Sequence, residues 1–328
     1  MVGSHLADFL LSETDWNIYG MHRWRSPLDN IEHLLPRVNS KDRVFLVEGD
    51  LCDTSSMRRV VDQAQPDYVF HLAAQSYPQT SFKSPVDTLN INILGTARLL
   101  EVLRQANEAN SVNPVIHVCA SSEVFGRVPQ DKVPIGEEEL FHPASPYAIS
   151  KAGTDLVGRY YGEAFGLKTV TTRMFTHTGP RRGDVFAESS FAKQIAMIEM
   201  GQIDPVIKVG NLESLRTFVD VRDAVRAYFL LVTKNPIAGE YYNIGGTYSC
   251  TVGEMLDYLI SQSKVKNIKV EIDEERLRPI DANLQIPNIE KFVRHTGWSP
   301  SFTFEQTMCD LLDYWRLKVQ NGRFFLNR

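Results

Sequence analysis

The sequence predicts an α/β protein, a doubly wound parallel sheet with a second, smaller α/β unit for a substrate. Short β-rich runs alternate with helical stretches through the first half, the pattern that places helices on both faces of a parallel sheet. Several of those runs are nearly continuous in apolar residues, as strands covered on both sides must be. The texture then changes after residues 168–173, and 328 residues suffice for about two domains.

Taken in order, Asn17–His22, Arg43–Glu48, Asp67–Leu72 and Val115–Ala120 read as strands. Thr88–Gln105 reads as a helix, because Leu89, Ile93, Leu99, Leu100, Val102 and Leu103 recur at nearer 3.6 than 2 residues. Beyond the change of texture come a helix at Ser190–Met200, a turn at Asp204-Pro205 and a helix at Asp223–Val232. These assignments divide the chain into residues 1–172 and 173–328, with a cleft expected between them. Glu240-Tyr241-Tyr242-Asn243-Ile244-Gly245-Gly246 is a candidate to return to the first unit.

A dinucleotide-binding unit of the Rossmann-like kind opens with a strand, a glycine-rich turn and a helix whose N-terminus receives the pyrophosphate. Here Gly3 and the stretch Ser4–Leu11 read as the last glycine and the following helix. The opening strand and earlier glycines are expected upstream. Otherwise the chain folds without them and binds a dinucleotide weakly.

Composition narrows the class. Hydrophobic residues make up 43% and charged residues 23%, ordinary for a globular protein. A net charge of −5, from 35 basic and 40 acidic residues, argues against a nucleic-acid footprint. The four cysteines are far apart and match no metal-ligand spacing, so reduced thiols and no metal are expected. With no membrane-length apolar run and no signal-peptide pattern, the expected location is the cytoplasm.

The strongest chemical signal is Ser145-Pro146-Tyr147-Ala148-Ile149-Ser150-Lys151. Ser145 caps a helix and Pro146 fits its first turn. Tyr147 and Lys151 then share one helical face, where an ammonium beside a phenol favours phenolate and proton exchange near neutral pH. Ser121 and Glu123 follow a strand, where residues of a parallel sheet face the ligand crevice. Ser121 would hold the substrate hydroxyl. Glu123 adds a carboxylate that simple hydride transfer does not need. After the first recognised strand stands His22-Arg23-Trp24-Arg25-Ser26, with no acid. Arg23, Arg25 and Ser26 suit a phosphate monoester, which points to NADP, with NAD the alternative.

Together, Ser121, Tyr147-x-x-x-Lys151, Asp50-Leu51, His71-Leu72-Ala73-Ala74 and Asn92-x-x-Gly95-Thr96 resemble the extended short-chain dehydrogenase/reductases that act on nucleotide sugars. Phe175-Thr176-His177-Thr178-Gly179-Pro180-Arg181-Arg182-Gly183 and Val206–Glu213, with Arg216 and Arg278-Pro279, are similar to GDP-mannose 4,6-dehydratases and the related GDP-4-keto-6-deoxymannose reductases. The resemblance implies a GDP-sugar substrate. Tyr147 would take the C4 hydroxyl proton, and Glu123 the C5 proton once C4 is oxidised. It further implies a cofactor held by Gly3, Arg23, Arg25, Ser26, Asp50, Leu51, Leu72, Ala73, Ala74, Asn92, Tyr147, Lys151, His177 and Arg182. For the substrate it implies Thr176, Lys193, Lys208, Asn211, Arg216 and Arg278. Thr176 stands where the dehydratases usually carry asparagine. Phe218–Asp223 and Phe191–Gln194 lean toward the reductases, and the missing phosphate turn keeps a catalytically silent binding protein in view. A homodimer or homotetramer is implied, paired through the helix near Thr88–Gln105 and the one carrying Tyr147.

Overall fold

The computed structural model describes residues 1–277, 280 and 282–324. The first half contains α1 (Val2–Glu13), β1 (Ile18–His22), α2 (Leu35–Ser40), β2 (Val44–Glu48), α3 (Thr54–Ala64) and β3 (Tyr68–His71). After them come α4 (Pro78–Lys83), α5 (Pro85–Leu89), α6 (Gly95–Glu108), β4 (Val115–Cys119), α7 (Pro146–Phe165) and β5 (Lys168–Met174). The second half contains β6 (His177–Thr178), α8 (Ala187–Glu199), β7 (Val206–Val209), β8 (Leu215–Asp220), α9 (Val221–Thr233) and β9 (Glu240–Ile244). It closes with β10 (Tyr248–Thr251), α10 (Val252–Ser261), β11 (Lys269–Ile272), β12 (Leu284–Gln285), α11 (Glu290–Thr296) and α12 (Phe304–Gln320).

The main sheet runs β3-β4-β5-β9, all parallel. One face is sealed by Met57, Val61, Leu100 and Leu103 against Ile116 and Val118. On the other face Tyr228, Leu231, Phe292 and Trp298 pack against Val170, Met174 and Ile244. Each of these buried side chains contributes roughly 1.5–3 kcal/mol of transfer free energy, and the two apolar faces explain why the strands read as unbroken hydrophobic runs. β9 lies beside β5, from Val170↔Glu240 to Met174↔Ile244, so residues 240–244 join the sheet of β3, β4 and β5.

The α/β fold with parallel sheets stands, and one helix expectation needs correction. The doubly wound sheet is in two pieces, because β1 pairs only with β2 and no strand among the described residues lies between β1 and β3. Apolar contacts join the pieces instead. Trp16 stacks on Tyr68 at 4.4 Å, while Leu6 and Leu10 of α1 meet Val225, Phe70 and Leu72. The helix expected at Thr88–Gln105 is not continuous. A π-helical turn at Asn90–Leu94 separates α5 from α6, with Gly95 N–H bonding Asn90 O five residues back. Such turns redirect a carbonyl, and Asn92 O accepts from both Thr96 Oγ1 (2.6 Å) and Thr154 Oγ1 (3.0 Å).

The second unit packs α8, α10 and α12 around Phe191, Ile195, Ile207, Val209, Met255, Leu259, Met308 and Trp315. Its strands form β10-β8-β12, with β6 also on β8, and a separate β7–β11 pair. Among the described residues no helix is long and apolar enough to cross a membrane.

Candidate active site

Local chemistry places the catalytic candidates. Ser145 Oγ accepts from Ala148 N at 3.0 Å and starts α7, with Pro146 in the first turn. α7 lies close to β5 because Gly162 has no side chain; a Cβ there would meet Thr169 Oγ1 at 2.5 Å. At the end of β4, Ser121 caps a short turn, its Oγ accepting from Glu123 N at 3.2 Å.

Burial pushes the Tyr147 hydroxyl well above its usual range; the Ser121 hydroxyl works against that shift, and the charge of Glu123 adds to it. Burial also lowers the Lys151 ammonium, whose Nζ donates to Cys119 O at 2.7 Å. Its ammonium is held by the end of β4, and burial works against charge on both the phenol and the ammonium. Glu123 Oε1 lies 3.8 Å from Arg216 Nη1, both largely buried. A serine hydroxyl, phenol, ammonium and carboxylate therefore converge beyond the C-terminal end of β4.

The expected cofactor residues sort into groups. Arg23, Arg25 and Ser26 form an exposed turn after β1, in which Ser26 Oγ accepts from Arg23 N and Arg25 stacks over Trp24 at 4.3 Å. Gly3 starts α1, with nothing within 4 Å of where a Cβ would stand. Leu72, Ala73 and Ala74 form the loop after β3, and Ala73 is exposed. Asp50 Oδ1 accepts from Cys52 N at 2.9 Å. His177 is half-buried, near Arg182, and pushed down to about 3, chiefly by desolvation. Arg182 bonds Glu188 Oε1 at 3.1 Å and lies over Phe186. Two side chains face inward. Leu51 is core, and Asn92 is spent on Gln75 and Ser150, tying the loop after β3 to α7.

On the substrate side, Thr176 O accepts from Val219 N at 3.0 Å. Lys193 Nζ bonds Asp184 Oδ2 at 2.9 Å in largely buried surroundings. Lys208 turns to Glu271 on β11, both half-exposed, and Asn211 bonds Ser214 Oγ at 3.2 Å. Arg278 lies outside the described residues. The motifs that leaned toward reductases have packing roles. Asp220 Oδ2 accepts from Arg222 and Thr307, Asp223 Oδ2 accepts from Ser301 N and Phe302 N, and Gln194 bonds both Lys208 N and Lys208 O.

Sequence reasoning missed Arg276, whose Nη1 donates to Ser190 Oγ at 3.1 Å, and the buried Asp155–Arg173 pair. Asp155 had a visible signal, since it stands two helical turns beyond Tyr147 on the same face.

A tyrosine–lysine helix beside a serine-tipped parallel strand defines a protein of the short-chain dehydrogenase/reductase type. The chain belongs to the GDP-mannose 4,6 dehydratase family, whose model matches residues 1–311. It is similar to GDP-mannose 4,6 dehydratase 1 of Arabidopsis thaliana, 32% identical across 95% of this chain and 86% of the relative. It is also similar to the GDP-6-deoxy-D-mannose reductase of Pseudomonas aeruginosa, 31% identical across 78% of this chain and 82% of the relative. The structure of RMD from Pseudomonas aeruginosa complexed with NADPH is 27% identical, covers 97% of this chain and 96% of its own, and superposes with a TM-score of 0.79.

Proposed function

We propose that this chain is a cytoplasmic GDP-sugar 4,6-dehydratase that converts GDP-mannose to GDP-4-keto-6-deoxymannose with bound NADP. The observation that carries this reading is Glu123. Its carboxylate shares the pocket of Ser121 and Tyr147, so one site holds a group for a hydroxyl proton and another for a proton on carbon.

The residues around the cofactor groove fit a dinucleotide. The open N-terminus of α1 at Gly3, the small Ala73 and Ala74, and the Arg23–Ser26 turn suit pyrophosphate, close backbone approach and a phosphate monoester respectively. When bound, the nicotinamide supplies a place to hold a hydride and give it back. Ser121 orients the C4 hydroxyl, and Tyr147, acting as phenolate, accepts its proton and becomes a neutral phenol. The Lys151 ammonium favours that phenolate before the transfer. Glu123 removes the C5 proton, which the adjacent keto group acidifies, and water leaves from C6. Arg216 holds the Glu123 carboxylate against the pocket wall.

Net reduction of a GDP-4-keto-6-deoxyhexose is the second reading, favoured by the likeness to the Pseudomonas aeruginosa reductase. We also read the outward Val86, Leu94, Ile149, Leu156 and Tyr160, which lie 48–77% exposed along α5, the π-helical turn and α7, as the pairing face of a homodimer or half of a homotetramer.

The test is to incubate the protein with GDP-mannose and catalytic NADP. Keto product without net NADPH supports dehydration, whereas turnover only on a keto sugar with stoichiometric NADPH supports reduction. Failure to bind either ligand leaves a silent binder. Glu123→Gln is expected to lower keto product by about 10²–10⁴-fold, and a full-rate variant removes the reason for preferring dehydration.

A further inference from the structure

Arg173 is the most deeply buried cation of the described chain, 1% exposed on β5. Its Nε and Nη2 donate to Asp155 Oδ2 and Oδ1 at 2.8 and 3.0 Å, a bidentate pair with a carboxylate that is 0% exposed. Asp155 stands on the same face of α7 as Tyr147 and Lys151, two turns and one turn further on. The third arm of the guanidinium, Nη1, donates to Glu137 O at 2.6 Å. Its planar faces meet the rings of Phe141 at 4.7 Å and Phe125 at 5.6 Å.

Glu137, Phe125 and Phe141 all belong to the segment that begins beside Glu123 and ends just before the cap of α7. That segment is closed at its base. Gly126 has φ +56°, and a Cβ there would lie 1.8 Å from His142 O; His142 N donates to Val124 O at 3.0 Å. Asn243 fixes the same segment from β9, accepting nothing flexible: its N–H bonds Glu137 Oε1 and its side chain bonds Ile135 O. One guanidinium therefore grips both the helix that carries the phenol and the loop that carries the carboxylate.

We infer that Arg173, through Asp155, is a positioning residue that sets the spacing between Glu123 and Tyr147. The inference rests on the dehydratase reading, in which those groups act on adjacent carbons of one sugar. A buried ion pair is weak support for stability as such, while displacing a reacting group by about 1 Å can cost roughly 10²-fold in rate. The first half-reaction uses Ser121, Tyr147 and Lys151 and does not call on Glu123. The second needs Glu123 in register with them.

Arg173→Lys and the paired replacement Asp155→Leu with Arg173→Met are compared with wild type on GDP-mannose and NADP. Both are expected to lose about 10- to 100-fold in kcat with KM nearly unchanged, and to accumulate reduced nicotinamide during turnover, seen by its near-ultraviolet absorbance. A loss of rate without reduced cofactor means that both half-reactions fell together, and overturns the inference, as does wild-type behaviour. The paired variant carries no unpaired buried charge, so it keeps the test open if Arg173→Lys folds poorly. If wild type itself makes no keto sugar, the dehydratase reading falls. The positioning claim is then decided by backbone hydrogen exchange, expected to quicken at residues 123–126 in both variants and overturned if it does not.

Discussion

Removing one member of the Asp155–Arg173 pair tests how this core tolerates charge. In Asp155→Leu the Arg173 guanidinium loses both carboxylate bonds while remaining 1% exposed, and an uncompensated buried charge costs about 3–5 kcal/mol. Scaled to 328 residues, the entropy of unfolding is about 0.7 kcal/mol per kelvin, so the expected fall in Tm is about 4–7 °C. Arg173→Met is expected to cost less, because Arg159 Nη1 lies 3.7 Å from Asp155 Oδ1 and takes up part of the stranded charge. The double variant removes both charges together. Its stability should return to within about 1–2 kcal/mol of wild type, giving a coupling energy well above the few tenths of a kcal/mol that separate independent sites. Differential scanning calorimetry of the four proteins closes the cycle. Single variants whose losses simply add in the double would refute the claim that the pair acts as a unit.

Substituting Arg23 and Arg25 together by alanine should weaken NADP at least tenfold and leave NAD within about threefold, because only the phosphate monoester meets those guanidiniums; titration calorimetry with each cofactor checks this, and equal losses would argue against it. His71 and His117 are buried and pushed down to about 3 by desolvation. The unfolded chain binds their protons first as pH falls, so the stability is complete above about pH 6.5 and is lost toward pH 3, at about 1.4 kcal/mol per pH unit for each histidine. Urea unfolding between pH 6 and pH 4.5 should show a slope that His117→Phe makes shallower by one such increment; an unchanged slope would contradict the assignment.

Much of the site was legible because its residues carry local signals. Ser145-Pro146 announces the start of α7, and Tyr147 and Lys151 follow at one-turn spacing. Ser121 and Glu123 follow an apolar strand whose end must face the crevice. The strands of the main sheet were legible for the same reason, being apolar on both faces. What escaped was decided at long range. Nothing near Arg173 in the chain says that its partner is Asp155, 18 residues earlier, or that the aromatic rings around it come from β9 and from the loop after β4. The π-helical turn at Asn90–Leu94 is invisible to periodicity because its apolar side chains continue the helical pattern. Arg216 read as a substrate residue from the resemblance alone, and its place beside Glu123 is set by the fold.

The account stands or falls on where one hydrogen travels. GDP-mannose carrying deuterium at C4 is incubated with the protein and catalytic NADP, and the product is read by NMR. Deuterium recovered at C6 of a 4-keto sugar, with the cofactor unchanged at the end, is the predicted result. A keto product whose C6 carries only hydrogen, or label left on the nicotinamide in proportion to product, would contradict it.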